Sequence, residues 1–220
     1  MYTEDTYENS ILELFQNLGY THYVGYDIER DYKNPLFLED LDNLYLINNG
    51  TDRSAIDNAV QMIQDIDSGS LEERNDKFMD YLQNGISVSY WKDNEELSTL
   101  VKLVDFENID KNLFTVINQW TFEEKEVKRP DIIVFINGLP LVVIELKSPS
   151  REDADTSEAY NQLQKYMKVI PSATDAESIW MFWNRVVQIE TITSGMSMMG
   201  RVAGMMKRFR SKRFIMKQKP

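Results

Sequence analysis

The sequence predicts an α/β fold: a mixed central sheet with flanking helices and a helical N-terminal elaboration. Three observations predict it. Helical periodicity occupies the first third of the chain, and alternating or continuous apolar runs take over from residue 86. A further helical stretch after residue 150 is then followed by two more strand-like runs. The order helices, antiparallel strands, helix, strands suits one α/β unit better than separate all-α and all-β domains.

Each element has its own signal. Residues 4–18, "EDTYENSILELFQNL", place Tyr7, Ile11, Leu14, Phe15 and Leu18 on one helical face, and Gly19 ends it. Residues 35–66 read as helix in two pieces broken at "INNGT", and 76–82 as a further short helix stopped by Gly85. "ISVSYW" alternates as an edge strand, and "TLVKLVDF" is its expected partner. "LFTVINQWTF" is a third strand candidate, followed by a polar hairpin, "EEKEVKR". Next come two apolar runs around an Asn-Gly turn signal in "RPDIIVFINGLPLVVIELKSP", residues 129–149. "SPSREDADTSE" reads as a loop into a helix capped by Asp155 with Glu158 and running to about Ile170, before Pro171. "SIWMFWNRVVQIETIT" reads as two strands. No internal repeat or low-complexity tract occurs. The expected organisation is one domain over 1–195, with a helical elaboration at 35–82 and a core at 86–195, then a basic, Met-rich tail at 196–220.

Composition removes several chemistries. The chain has 220 residues, no cysteine and one histidine. Disulfides, thiolate zinc sites and cysteine nucleophiles are therefore excluded, and the absence suits a reducing, cytoplasmic setting. A Ser-His-Asp triad or a multi-histidine metal site would have to use His22, in "GYTHYVGYD", which reads as a structural or surface residue. The opening "MYTEDTYENS" is too acidic for a secretory signal, and the longest apolar stretch, Ile132 to Ile144, is too short to span a membrane. Charge is uneven. Residues 201–220 carry eight Lys and Arg and no acid, so the first 200 hold 16 basic against 36 acidic residues, a net −20. Such an acidic body is a poor nucleic-acid binder by itself.

The chemistry concentrates at the ends of the two apolar runs. Asp131 opens the first, and Glu145 and Lys147 interrupt the end of the second. A carboxylate in an apolar strand is costly unless compensated, and two on one face repel unless a cation lies between them. Mg²⁺, with Mn²⁺ as the alternative, takes hard oxygen ligands and leaves room for phosphate oxygens and water. Lys147, two residues beyond Glu145, projects from the same sheet face and can orient or deprotonate an attacking water. Metal, carboxylates and lysine together make a phosphodiester hydrolysis kit. The bland alternative is a capped strand with an exposed ion pair. Register separates the two. A plain two-residue Asn137-Gly138 turn would pair Asp131 with Ile144 and put Asp131 and Glu145 on opposite faces. A three-residue loop over 136–138, with Gly138 in a G1 bulge, would pair Phe135 with Leu139 and make the two carboxylates diagonal neighbours. The three-residue loop is the expectation.

"RPDI" and "FINGLPLVVIELKSP" closely resemble the N-terminal nuclease domain of the type I restriction enzyme R subunit (HsdR), a member of the PD-(D/E)xK nucleases. The likeness extends upstream through "KLVDFENIDKNLFTVINQW" to "ENSILELFQNLGY", and downstream to "NQLQKYMKVIPS", covering about residues 4–172. It implies a PD-(D/E)xK type sheet with Asp131 and Glu145 as metal ligands, Lys147 as the catalytic lysine, and the Leu146 carbonyl as a further ligand. Gln162 and Tyr166, at i and i+4 on a helix, would contact DNA or steady the site, although Tyr166 also fits a buried stripe with Ala159, Leu163 and Ile170. Glu8 would be an additional site carboxylate, an exposed helix charge being the alternative. The resemblance implies a type I site-specific deoxyribonuclease that cuts foreign double-stranded DNA. Its partners would be motor domains using ATP, together with methylation and specificity subunits. No G-x4-G-K-[ST] loop occurs in these residues, so the motor is not encoded here. A non-cleaving docking module of the same complex is the competing reading, and a nuclease acting alone is a third. The acidic body argues against the third.

Overall fold

The computed structural model describes residues 4–66, 70–123, 127–144 and 146. Its centre is a four-stranded mixed sheet in the order β1-β4-β7-β8: β1 (Thr21–Val24), β4 (Phe114–Asn118), β7 (Ile132–Ile136) and β8 (Leu139–Ile144). β1 runs parallel to β4, and the other neighbours are antiparallel. Every residue of β7 and β8 is buried, as expected for strands covered on both faces.

Two layers cover the sheet. Helix α1 (Glu4–Asn17) lies over the face that carries Phe114 and Asn118. Tyr20 stacks on Phe15 and on Phe114, and Asn118 bonds to Glu8 of α1. The opposite face carries Thr115 and Phe135, which pair across β4 and β7. Phe135 packs on Phe37 and Trp120, and Thr115 donates its hydroxyl proton to Asp40. Asp40 belongs to the short helix α2 (Leu38–Leu41), which is followed by α3 (Asn43–Ile47) and α4 (Arg53–Gln64). The break between α3 and α4 falls at "NNG", where Asn49 and Gly50 both have positive φ, as the sequence implied.

Burial raises the Asp40 carboxyl pKa above its ordinary value, the Thr115 hydrogen bond opposing and Glu39 adding to the shift. The folded protein therefore holds this proton more tightly than the unfolded chain. Stability falls as pH rises through the folded pKa, and the penalty is fully present above it. Asp40→Asn removes this dependence. Relative to wild type, the variant is expected to gain stability as pH is raised from about 4 towards neutrality, as read by thermal melts at several pH values. A constant difference across that range would refute the assignment.

Three elements differ from the sequence expectation. First, the helix expected over 76–82 is α5, Leu71–Asn84, ended by Gly85 at φ 81°. Its start is set by a capping box: Ser70 accepts from the Glu73 amide while Glu73 accepts from the Ser70 amide at 2.7 Å. That local signal lies in a charged stretch without strong apolar periodicity. Second, β1 is a strand that "THYV" did not announce, because it is short and sits half-exposed at the sheet edge. Third, β2 (Ile86–Lys92) and β3 (Glu95–Val101) pair with each other as expected, but as a separate two-stranded sheet against α4. β5 (Phe122–Glu123) and β6 (Val127–Lys128) form the small polar hairpin.

The β7–β8 hairpin corrects the expected loop. Ile136 pairs with Leu139 across a two-residue Asn137-Gly138 turn with φ 52° and 79°, the type I′ pattern, and not across a three-residue loop. The register is nevertheless bulged, one step further in: Phe135 pairs with Pro140 and Val134 with Val142, so Leu141 is the extra residue. In a two-residue hairpin the pair that closes the turn, Ile136–Leu139, is the hydrogen-bonded one and the next, Phe135–Pro140, is not, so the missing N–H of Pro140 costs no ladder bond there. The shift carries the ladder to Ile132–Ile144. Asp131 therefore stands one step past the last described rung, at the strand end from which the chain continues to Glu145.

Candidate active site

Asp131 is half-buried where the chain enters β7. Its carbonyl accepts the Gln119 amide at 3.0 Å, extending the β4–β7 pairing by one bond. Its carboxylate oxygen Oδ2 accepts the Leu146 amide at 2.6 Å. A short bond from a backbone amide to a carboxylate fixes that side chain's direction. It also brings the Asp131 carboxylate into direct contact with the backbone of the residue between Glu145 and Lys147. The positions of Glu145, Lys147, Gln162 and Tyr166, and the tail over 196–220, lie outside the described residues.

Glu8 comes to the same end of the sheet from α1. Its carboxylate accepts from Asn118 Nδ2 at 2.6 Å and from Gln119 Nε2 at 3.1 and 3.3 Å. His22, on β1, contacts Asn118 Oδ1 through Nε2 at 2.9 Å. Glu8 is thus tied to the sheet and is not a free helix charge. His22 is half-buried within this polar cluster. His22, Asn118 and Gln119 were not singled out as site residues by their sequence context. The cluster depends on β1 lying beside β4, and no spacing in "THYV" or "VINQW" announces that.

The bend after β4 is held from behind. Gln119 has a positive φ of 56°, uncommon for a residue with a side chain. Gly25, at the end of β1, packs so closely on it that an added Cβ would lie 2.7 Å from the Gln119 carbonyl oxygen. Beyond the bend, the Arg30 guanidinium lies over the Trp120 ring at 3.5 Å from its centroid and donates to the Thr121 carbonyl. Burial lowers the Arg30 pKa to about 10, so it remains a cation at neutral pH. A cavity of about 200 Å³ between α2, α3 and α4 shares no residue with this region.

The donor chemistry at this end suits a hard cation, since Asp131 and Glu8 offer carboxylate oxygens. Among the described residues, no group of three or more His, Asp or Glu side chains is arranged to hold a metal.

An α/β domain that presents a strand-end aspartate to the backbone beside an E-x-K tripeptide is the class of protein defined so far. Comparison with known proteins gives the family. The family described as type I restriction enzyme R protein N terminus matches residues 1–187, and the chain belongs to it. It is 36% identical over 177 residues to the type I restriction enzyme HindI endonuclease subunit of Haemophilus influenzae, covering 76% of this chain and 17% of that protein. It is 31% identical over 175 residues to a putative type I restriction enzyme MjaIXP endonuclease subunit of Methanocaldococcus jannaschii, covering 74% and 17%. A Staphylococcus aureus endonuclease subunit, SauMSSORF170P, matches at 39% over 75 residues. The chain thus spans less than a fifth of the first two relatives. Among the described residues, no helix is long and apolar enough to cross a membrane.

Proposed function

We propose that this chain is the metal-dependent DNA endonuclease domain of a type I restriction enzyme R subunit, with a PD-(D/E)xK site. The observation that carries the reading is the bond from the Leu146 amide to the Asp131 carboxylate. It links the aspartate at the start of one strand to the E-x-K segment after the next, although the two are separated by the whole hairpin. Membership of the family supports the same reading.

In this reading Asp131, Glu145 and the Leu146 carbonyl hold Mg²⁺ or Mn²⁺, with Glu8 beside them. Bound there, the cation supplies Lewis acidity toward a phosphodiester oxygen. Asp131 keeps a fixed orientation because its Oδ2 is engaged by the backbone. Lys147 orients the attacking water or offsets charge on the phosphate. Gln162 and Tyr166 steady the site or touch DNA. The acidic body makes a poor independent grip on a polyanion, so double-stranded DNA would be delivered by the rest of a cytoplasmic complex. That complex comprises ATP-using motor domains of the full subunit, with methylation and specificity subunits.

Calorimetric titration with Mg²⁺ and Mn²⁺ tests the reading on wild type and Asp131→Ala. Wild type is expected to bind, and the variant to bind at least about tenfold more weakly, which is 1.4 kcal/mol, while remaining folded by circular dichroism. Equal binding by both would remove Asp131 from the metal site. Absence of binding in both would favour a docking module that does not cut.

A further inference from the structure

We propose that Gln119, backed by Asn118 and His22, is a positioning residue that aims Glu8 at the metal site beside Asp131; this rests on the nuclease reading above. Gln119 contacts both Glu8 and Asp131. Its side-chain amide bonds to both oxygens of Glu8, and its backbone amide bonds to the carbonyl of Asp131.

The conformation of Gln119 is what makes this double contact possible. Successive side chains of a strand point to opposite faces. Asn118 ends β4 and reaches Glu8, so an extended Gln119 would point away from it. At φ 56° the backbone turns, and the two neighbouring amides converge on one carboxylate. A side-chain-bearing residue in the left-handed region carries local strain, which persists where the surroundings over-determine it. Here the surroundings include Gly25, whose lack of a Cβ lets β1 press against the bend.

The hydrogen-bond directions are also determined. Asn118 presents Nδ2 to Glu8 and therefore Oδ1 to His22. His22 Nε2 must then carry the proton that Asn118 accepts at 2.9 Å. The chain from His22 through Asn118 to Glu8 therefore has one sense, donor to acceptor at each step. Two side-chain amides, one of them backed by a histidine, hold one half-buried carboxylate on the second turn of α1. A metal ligand needs its orientation held by such neighbours.

The test is Mn²⁺ titration of the full 220-residue chain as wild type, Gln119→Gly, Glu8→Gln, the double variant and Asp131→Ala, with thermal melts. Glycine suits a positive φ, so Gln119→Gly removes the amide without opposing the bend. It is expected to weaken Mn²⁺ binding roughly tenfold, the lower end for neighbours of metal ligands, with little change in melting temperature. Glu8→Gln should lose at least as much, and the double variant no more than Glu8→Gln, because Gln119 acts through Glu8. Wild-type affinity in Gln119→Gly, or losses that multiply in the double variant, would overturn the proposal. If Asp131→Ala loses binding while the Gln119 and Glu8 variants keep it, this inference alone falls. If Asp131→Ala binds as wild type, or wild type binds no Mn²⁺, the nuclease reading falls with it.

Discussion

Asn137→Ala is expected to destabilise the domain by about 4 kcal/mol, the sum of two orphaned backbone groups and an alanine forced into the left-handed region. Asn137 is fully buried at the first position of the hairpin turn, with φ 52°. Its Oδ1 accepts from the Leu113 amide at 2.9 Å and from Asn43 Nδ2 at 2.7 Å. Its Nδ2 donates to the Leu103 carbonyl and to Asn112 Oδ1, both at 2.9 Å. One side chain thus connects the β7–β8 turn to α3, to the segment just after β3 and to the loop before β4. In the alanine variant Asn43 keeps its bond to the Lys111 carbonyl, and Asn112 Oδ1 keeps the Asp105 amide. The Leu113 amide and the Leu103 carbonyl lose the side-chain partners that Asn137 provides. Asn137→Gly separates the two contributions, since it keeps the turn conformation and loses only the bonds. It should recover about 1 kcal/mol of the loss. Urea denaturation of both variants measures this. An alanine variant within 1 kcal/mol of wild type would mean that water satisfies these groups after all.

Gly25→Ala should be the more informative change for the site, with a cost of about 2–3 kcal/mol, at the upper end for overpacking a close contact. The added methyl would lie 2.7 Å from the Gln119 carbonyl oxygen and 2.8 Å from the Trp120 Cα. Both neighbours are backbone, so neither can rotate away as a flexible side chain could. Either β1 withdraws from β4 or the bend at Gln119 moves. Both movements disturb the contacts of Glu8 and the amide that Gln119 gives to Asp131. The variant is therefore expected to show a lower denaturation midpoint together with weakened Mn²⁺ binding. A lower midpoint with wild-type Mn²⁺ affinity would uncouple this close packing from the proposed metal site.

Much of the fold follows from local patterns. The apolar runs around Asn137-Gly138 announce β7 and β8 because a continuous Ile/Val/Leu pattern with an Asn-Gly turn has few other solutions. Helix α1 and the break after α3 are equally local, set by periodicity and by Gly19 and Gly50. The carboxylates and lysine around the hairpin were legible for a related reason: charges at the ends of apolar strands are costly, so their presence asks for a role. The E-x-K segment and the family likeness pointed the same way, and membership of the R-subunit family bears the likeness out.

The rest depended on contacts that no local pattern encodes. The hairpin register turned on a bulge at Leu141, beside a proline whose missing N–H matters only once its partner is known. The last described rung is Ile132–Ile144 as a result. β1 is four half-exposed residues whose strand character comes from pairing with β4, more than ninety positions away. The same pairing brings His22 to Asn118, and α1 brings Glu8 to both Asn118 and Gln119. By itself, then, the sequence determined helix α1 and the paired strands β7 and β8 with Asp131 at their open end, since periodicity and turn signals are local properties. Only the tertiary structure decided which rung lies next to Asp131, which backbone amide its carboxylate meets, and which amides hold Glu8. Those are matters of strand register and sheet order, and they are fixed by packing between segments distant in the chain.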